Sequence, residues 1–181
     1  FNLIKTIILA RVLGPDEFGI LGISLLLVDI VYRFSRTGID FALIHKQTDE
    51  KVYLDSGWIV SITRALLVGS LLVILAPLAS DFFAEPRAIG IIRVVALAKT
   101  VEGFINIGIV LLRKKLSFKK LFIYEALVGF LSLFFTVLLA LWLRNVWALA
   151  IGLLITSVIR TVFSYMVVSY RPSFYLNWQI I

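Results

Sequence analysis

The chain alternates long apolar runs with short charged ones, and the length of those runs is what first decides its fold. They lie at about 1–13, 18–44, 57–83, 88–112, 121–143 and 146–169. The last five are long enough to cross a hydrocarbon core about 30 Å thick, which takes about 20 helical residues. Polar backbone groups in lipid must be satisfied within their own segment, so each run is expected to be a helix. The first run is too short to span. The chain opens on Phe1 in the middle of that run, and its one methionine is Met166. The first helix is therefore expected to be cut short, and the chain to be a piece of a longer protein. At the other end, FYLNWQII from Phe174 reads as an interfacial lead-in to a further helix.

The connections carry their own turn chemistry. In LGPDEFG, Gly14 can close one helix and Pro15 open the next, with Asp16 and Glu17 in a first turn where the helix dipole favours acids. AEPRA around Pro86 repeats the device. Arg144 and Asn145 leave so short a loop that the helices on either side should be antiparallel neighbours. No soluble domain or flexible linker interrupts residues 1–181. The expected architecture is all-α: a single polytopic transmembrane helix bundle.

Composition agrees with that reading. The chain is 61% hydrophobic with a mean hydropathy of +1.02, whereas a soluble domain is about half apolar. The net charge of +7 is explained by loop bias and needs no nucleic acid. Loops at 45–56, 113–120 and from 171 carry Lys46, Lys51, Arg113, Lys114, Lys115, Lys119, Lys120 and Arg171. The alternate loops at 11–17, 84–87 and 144–145 carry only Arg11, Arg87 and Arg144. That bias puts the first set, and the amino-terminal end, in the cytoplasm. RKKLSFKK is the decisive loop, a topology anchor touching anionic lipid. With no cysteine, disulfides and thiolate ligands are absent. The lone histidine, His45, sits at a span end beside Lys46 and reads as interfacial, not catalytic.

Charges inside the runs change the picture most. One at mid-bilayer costs about 2.5–3.5 kcal/mol on insertion scales, and such residues usually face a bundle interior or an aqueous cavity. Asp29, Arg33, Arg36 and Asp40 recur at i, i+4, i+7 and i+11 and would share one helical face. That stripe is either the wall of something wet or a structural ladder of ion pairs. Lys99, Glu102 and Asn106 share a face of the fourth run, with Arg93 on another side. Arg160 lies near the middle of the last run between Ser157 and Ser164, with no acid on its own face. Arg64 is either a cavity cation or an anchor snorkelling to the headgroups. Glu125 reads as a favourable helix-start charge, and Trp58, Trp147, Tyr170 and Trp178 as interfacial belt residues. The cations outnumber the acids, so the cavity reading predicts an anionic guest held by Arg33, Arg36, Arg64, Lys99 and Arg160.

Five stretches in order carry a resemblance: ARVLGPDEFGILG, SRTGIDFALIHK, LAPLASDFFAEP, LLRKKLSFKKL, and VWALAIGLLITSVIRT followed by YRPSF. Together they resemble the Wzx-type flippases of polysaccharide and lipopolysaccharide biosynthesis, in particular the teichuronic-acid exporter branch, across almost the whole chain. The resemblance implies the six-helix N-terminal lobe of a MATE-like fold, one of two lobes around a central cavity. It implies a multi-pass protein of the bacterial cytoplasmic membrane. The implied cargo is an undecaprenyl-diphosphate-linked oligosaccharide, an anionic lipid-linked glycan moved by alternating access. It also implies proton or cation coupling, for which Asp29, Asp40 and Glu102 are the candidates, and other polysaccharide-assembly proteins as partners. No metal, cofactor or catalytic residue is implied. SRTGID is more charged than the family's pattern, which leaves the glycan open.

Within the same fold the alternatives are a lipid II flippase or a multidrug exporter. From another class, a membrane-embedded glycosyl- or acyltransferase would need an acid/base or metal constellation near a membrane face. One histidine at a span end and short loops do not supply it.

Overall fold

The computed structural model describes residues 2–35, 50–114 and 117–173 of the chain. Among them seven helices follow in order: α1 (Asn2–Val12), α2 (Pro15–Phe34), α3 (Glu50–Phe82), α4 (Ala88–Glu102), α5 (Ile109–Lys114), α6 (Phe118–Leu143) and α7 (Val146–Val167). Three contain stretches long and apolar enough to cross a membrane: Leu54–Phe82, Phe118–Leu143 and Val146–Val167. α2 has 20 residues but carries Asp16, Glu17, Asp29 and Arg33. The chain is an all-α, multi-span membrane bundle.

The turns form as their residues dictate. Gly14 is extended at the N-cap of α2, Pro15 follows at the first helical position, and Asp16 and Glu17 occupy the first turn. Arg144 adopts the left-handed conformation (φ 49°) that closes α6. Asn145 then caps α7 by accepting a 3.1 Å bond from the backbone N–H of Trp147. Two residues suffice to reverse the chain, and α6 and α7 pack as neighbours.

Two expected runs meet the described helices differently. For the run at 18–44, residues 36–44 lie outside the described residues, and α2 begins at Pro15 and ends at Phe34. There Ser35 turns the chain, its N–H bonding the carbonyl of Val31 at 3.2 Å and its Oγ that of Tyr32 at 2.9 Å. Of the four-charge stripe, α2 holds Asp29 and Arg33; Arg36, Asp40 and His45 lie outside the described residues. The run at 88–112 is two helices, α4 and α5, separated by a bend. Asn106 replaces the lost helical bonds at that bend. Its N–H donates to Ser164 Oγ (2.9 Å), its Nδ2 to the carbonyl of Tyr170 (2.8 Å), and its Oδ1 accepts from Gly108 N (2.9 Å). Asn106 is therefore fully buried at a helix break and does not extend a face of α4.

Packing buries Leu72, Ile91, Ile92 and Tyr124 but leaves many large side chains on the outer surface. α4 lies among α3, α7 and α2, while α6 packs on α7 and α1. The contacts run through small residues: Ala65, Ala76, Ala88, Ala96, Ala98, Ala140, Ala148 and Ala150 are buried, with Ser24, Ser132 and Ser157. Many large side chains point out, Phe34 at 90%, Trp142 at 80% and Phe122 at 72% exposure. Between helices in lipid there is no hydrophobic driving force, so close backbone approach and interhelical hydrogen bonds take over. Buried hydroxyls bond back to their own helix, as Ser24 to Ile20 O (3.0 Å) and Thr100 to Ala96 O (3.0 Å). Trp58, expected at the interface, is buried beside Leu54 and Ile107.

Gly152 shows how tight this is. A Cβ there would stand 2.7 Å from both Cγ2 and Oγ1 of Thr136 on α6, and a β-branched neighbour has little freedom to yield. Overpacking of this kind costs about 1–3 kcal/mol. Gly152→Val is therefore expected to lower the unfolding temperature of the detergent-solubilised protein. Adding Thr136→Ala should recover part of the loss, and simple additivity in that double-mutant cycle would show that the two positions do not meet.

Candidate functional site

Polar groups from three helices converge inside the apolar stack. Lys5 of α1, Glu125 and Ser132 of α6, and Thr156 and Arg160 of α7 line a cavity of about 170 Å³, with Val128 and Gly129 between them. The spacing explains the convergence. Glu125, Val128, Gly129 and Ser132 recur at i, i+3, i+4 and i+7, and Thr156 and Arg160 at i and i+4, so each helix turns one face inward. Arg160 lies 14 residues along α7 from Val146, about 21 Å at the helical rise.

The hydrogen bonds in the cavity have a determined direction. Thr156 Oγ1 donates to the carbonyl of Gly152 at 2.7 Å, so its single proton is committed. The 2.7 Å bond between Ser132 and Thr156 must then be donated by Ser132. Ser132 in turn accepts from Lys5 Nζ at 3.2 Å. A chain of donors thus runs from the α1 ammonium to the α7 backbone. Further along the same two helices Arg160 Nη2 meets Glu125 Oε2 at 3.2 Å. Their side chains stay 38% and 42% exposed, so this ion pair is open to a guest. Two cations against one carboxylate leave the cavity with a net positive charge.

The sequence candidates fall in several places. Arg160 enters this cavity, paired with an acid of the next helix that its own face does not show. Lys99 and Glu102 meet at 2.9 Å on α4, and Ser157 Oγ of α7 donates to the other carboxylate oxygen at 3.2 Å. Ser157 and Ser164 therefore serve α4 and the bend after it, while Arg160 between them serves α6. Arg64 is held against α2: its Nη2 donates to Tyr32 Oη at 2.9 Å, and its Cζ sits 4.9 Å from the ring centre. Asp29 and Arg33 are exposed on α2, and among the described residues no ion pair joins them. Arg93 is exposed as well.

Two charged cavity residues escaped the sequence reading as site residues, and Ser132 and Thr156 were not singled out either. Lys5 sits in the run too short to span, although a lysine within NLIKTIILA was a visible anomaly. Glu125 is not in the first turn of α6, which begins at Phe118 and has no acid there. Its spacing to Ser132 was the available signal.

Polar clamps close both ends of the bundle. At the end holding the α6–α7 turn, Glu17 of α2 accepts a hydrogen bond from the N–H of Val146, the first residue of α7. Arg87 stands 3.9 Å from Glu17 and 2.8 Å from Glu85. The Arg87 guanidinium holds the Glu85 carboxyl below its ordinary range. At the opposite end the carboxylate of Asp55 accepts from Tyr170 Oη, Ser173 Oγ and Ser173 N (3.0 Å for the last). Burial first, and then this bond, pushes the Tyr170 phenol well up, keeping it a donor. Among the described residues no group of three His, Cys, Asp or Glu is placed to hold a metal.

Comparison with known proteins fits a bundle of this kind. Residues 8–181 match the family described as "Polysaccharide biosynthesis protein". The chain is 26% identical over 172 residues to the succinoglycan biosynthesis transport protein ExoT of Rhizobium meliloti, covering 95% of the chain and 35% of that protein. It is 25% identical over 182 residues to the lipopolysaccharide biosynthesis protein WzxC of Escherichia coli, covering 97% and 36%. The chain spans about a third of the length of these curated relatives. No solved structure matches it.

Because the chain contains no cysteine, Thr156→Cys places a lone thiol in this part of the protein. An anionic thiosulfonate reagent is expected to label it several-fold faster than a cationic one of the same size. Lys5→Gln should shrink that ratio; equal rates for both reagents in the parent variant would show that the cavity is not electropositive.

Proposed function

Because the chain belongs to the polysaccharide biosynthesis protein family, we propose that it is one lobe of a flippase that moves lipid-linked polysaccharide precursors across the bacterial cytoplasmic membrane by alternating access. Of the relatives it matches, ExoT is by name a transport protein. The observation that carries the reading is the net-positive cavity of Lys5, Glu125 and Arg160 within membrane helices. Charges in the membrane are costly and mark substrate or ion pathways. A guanidinium and an ammonium facing a polar cavity suit a phosphate or an acidic sugar, since charge-assisted bonds to such oxygens are about twice as strong as neutral ones.

The same arrangement supplies a means of release. An anionic guest competes with Glu125 for Arg160, so the carboxylate would reclaim the guanidinium as the guest leaves. Glu102, held by Lys99 and Ser157, is a candidate for a coupling proton, as is Asp29 on the exposed side of α2. Arg33 on that side would face cargo between two lobes, and Arg36 and Asp40, outside the described residues, are candidates by sequence alone. The loop bias supports an arrangement in which the 113–120 loop is cytoplasmic, with the amino-terminal end on the same side.

The test is complementation of a deletion strain. Loss of the gene should leave lipid-linked oligosaccharide on the inner leaflet. Arg160→Gln and Lys5→Gln should each cut surface polysaccharide at least about tenfold, the loss expected when an interaction worth about 1.4 kcal/mol or more is removed from transport. Membrane insertion should be unchanged, and Arg160→Lys should retain part of the activity. Normal polysaccharide in the deletion strain would overturn the reading, as would full export by both neutral variants.

A further inference from the structure

A second cavity lies between α2 and α3, away from the polar one. It is a groove of about 420 Å³ lined by Ile30, Val31, Phe34 and Ser35 of α2 and by Leu67, Val68 and Leu71 of α3. Arg64 precedes Leu67 and Val68 by three and four residues, so it lies at one end of the groove on the same face of α3. One guanidinium nitrogen of Arg64 bonds Tyr32, but its Nε is buried and has no hydrogen-bond partner among the described residues. A buried charged donor without a partner is expensive, and normally has an anionic or polar acceptor close by.

The depth of this pair is informative. Counted from Phe82 at the helical rise, Arg64 lies about 27 Å along α3, and Leu71 about 17 Å. Counted from Pro15, Tyr32 lies about 26 Å along α2. The hydrocarbon core is about 30 Å thick. Arg64 therefore stands near one edge of that core, at about the level of Phe34 and Ser35, and the α3 wall of the groove runs from it back toward the middle. An amphiphile with its charge at the edge and its chain inside has the same layout.

We propose that the α2–α3 groove binds an anionic glycerophospholipid of the surrounding membrane, with its phosphate on Arg64 and one acyl chain along Ile30, Phe34, Leu67 and Leu71. The chain contributes fit and little affinity, because it leaves one hydrocarbon environment for another. Selectivity rests on the headgroup: a planar guanidinium presents two parallel donors to a phosphate, and basic pockets between membrane helices hold anionic lipids in this way. The ring of Tyr32 beneath Arg64 keeps the guanidinium aimed and partly desolvated.

Native mass spectrometry of the protein in a neutral detergent tests this. Phosphatidylglycerol and phosphatidylcholine with the same acyl chains are added at equal concentration. Phosphatidylglycerol should be retained about fivefold more, the factor one cation supplies near an anionic lipid. Arg64→Gln should bring the two lipids level. Leu71→Trp, which fills the groove and leaves Arg64 in place, should reduce the phosphatidylglycerol adduct too. Equal retention by the unmodified protein overturns the proposal. So does a preference that survives Arg64→Gln, which would assign it to the surface cations of the 113–120 loop. Displacement of phosphatidylglycerol by a polyprenyl phosphate at much lower concentration also overturns it, and gives the groove to a transported lipid instead.

Discussion

The structure depends on one constraint: in a bilayer, apolar side chains gain nothing by leaving lipid for one another. Everything that holds the helices together must come from elsewhere. Here it comes from backbones brought close by Gly69, Gly103 and Gly152, and from alanine-lined contacts. Polar atoms that cannot be left bare in hydrocarbon supply the rest. Most of the described phenylalanines, with Trp142 and Trp147, which would build the core of a soluble domain, lie in the outer layer. The polar cavity belongs to the same economy, since the groups that fill it are those that lipid rejects.

α7 is the helix through which most of this is organised. Its Thr156 and Arg160 turn toward α6 and α1, while Ser157, Thr161 and Ser164 turn toward α4 and the bend after it. One helix thus connects the cavity to the Lys99–Glu102 pair through a rotation of a single residue. The Arg160–Glu125 and Lys99–Glu102 pairs meet adjacent faces of one helix.

Much of this was legible in the sequence, and the parts that were not share a cause. Apolar runs located the helices, and Gly14–Pro15 and Arg144–Asn145 marked the turns. Hydropathy could not see the break after Glu102, because Asn106 is held there by Ser164 and Tyr170, which lie 58 and 64 residues away. It likewise could not pair Arg160 with Glu125, 35 residues earlier on another helix. Periodicity describes one helix at a time. A partner across a helix interface leaves no trace in it, so Arg160 looked unpaired and Glu125 looked like an end effect. Trp58 was placed at an interface by residue type alone, where Leu54 and Ile107 in fact enclose it.

The bond from Glu17 to the first N–H of α7 has a meaning beyond the clamp it forms. It joins residues 129 apart in the chain, and it satisfies a helix-end donor that the α7 sequence does not satisfy for itself. During synthesis α1 and α2 emerge before α7, with the acid already in place. α7 is made much later and arrives with its amino end incomplete. The carboxylate of Glu17 thus ties the completion of the amino end of α7 to the placement of a helix made much earlier in the chain.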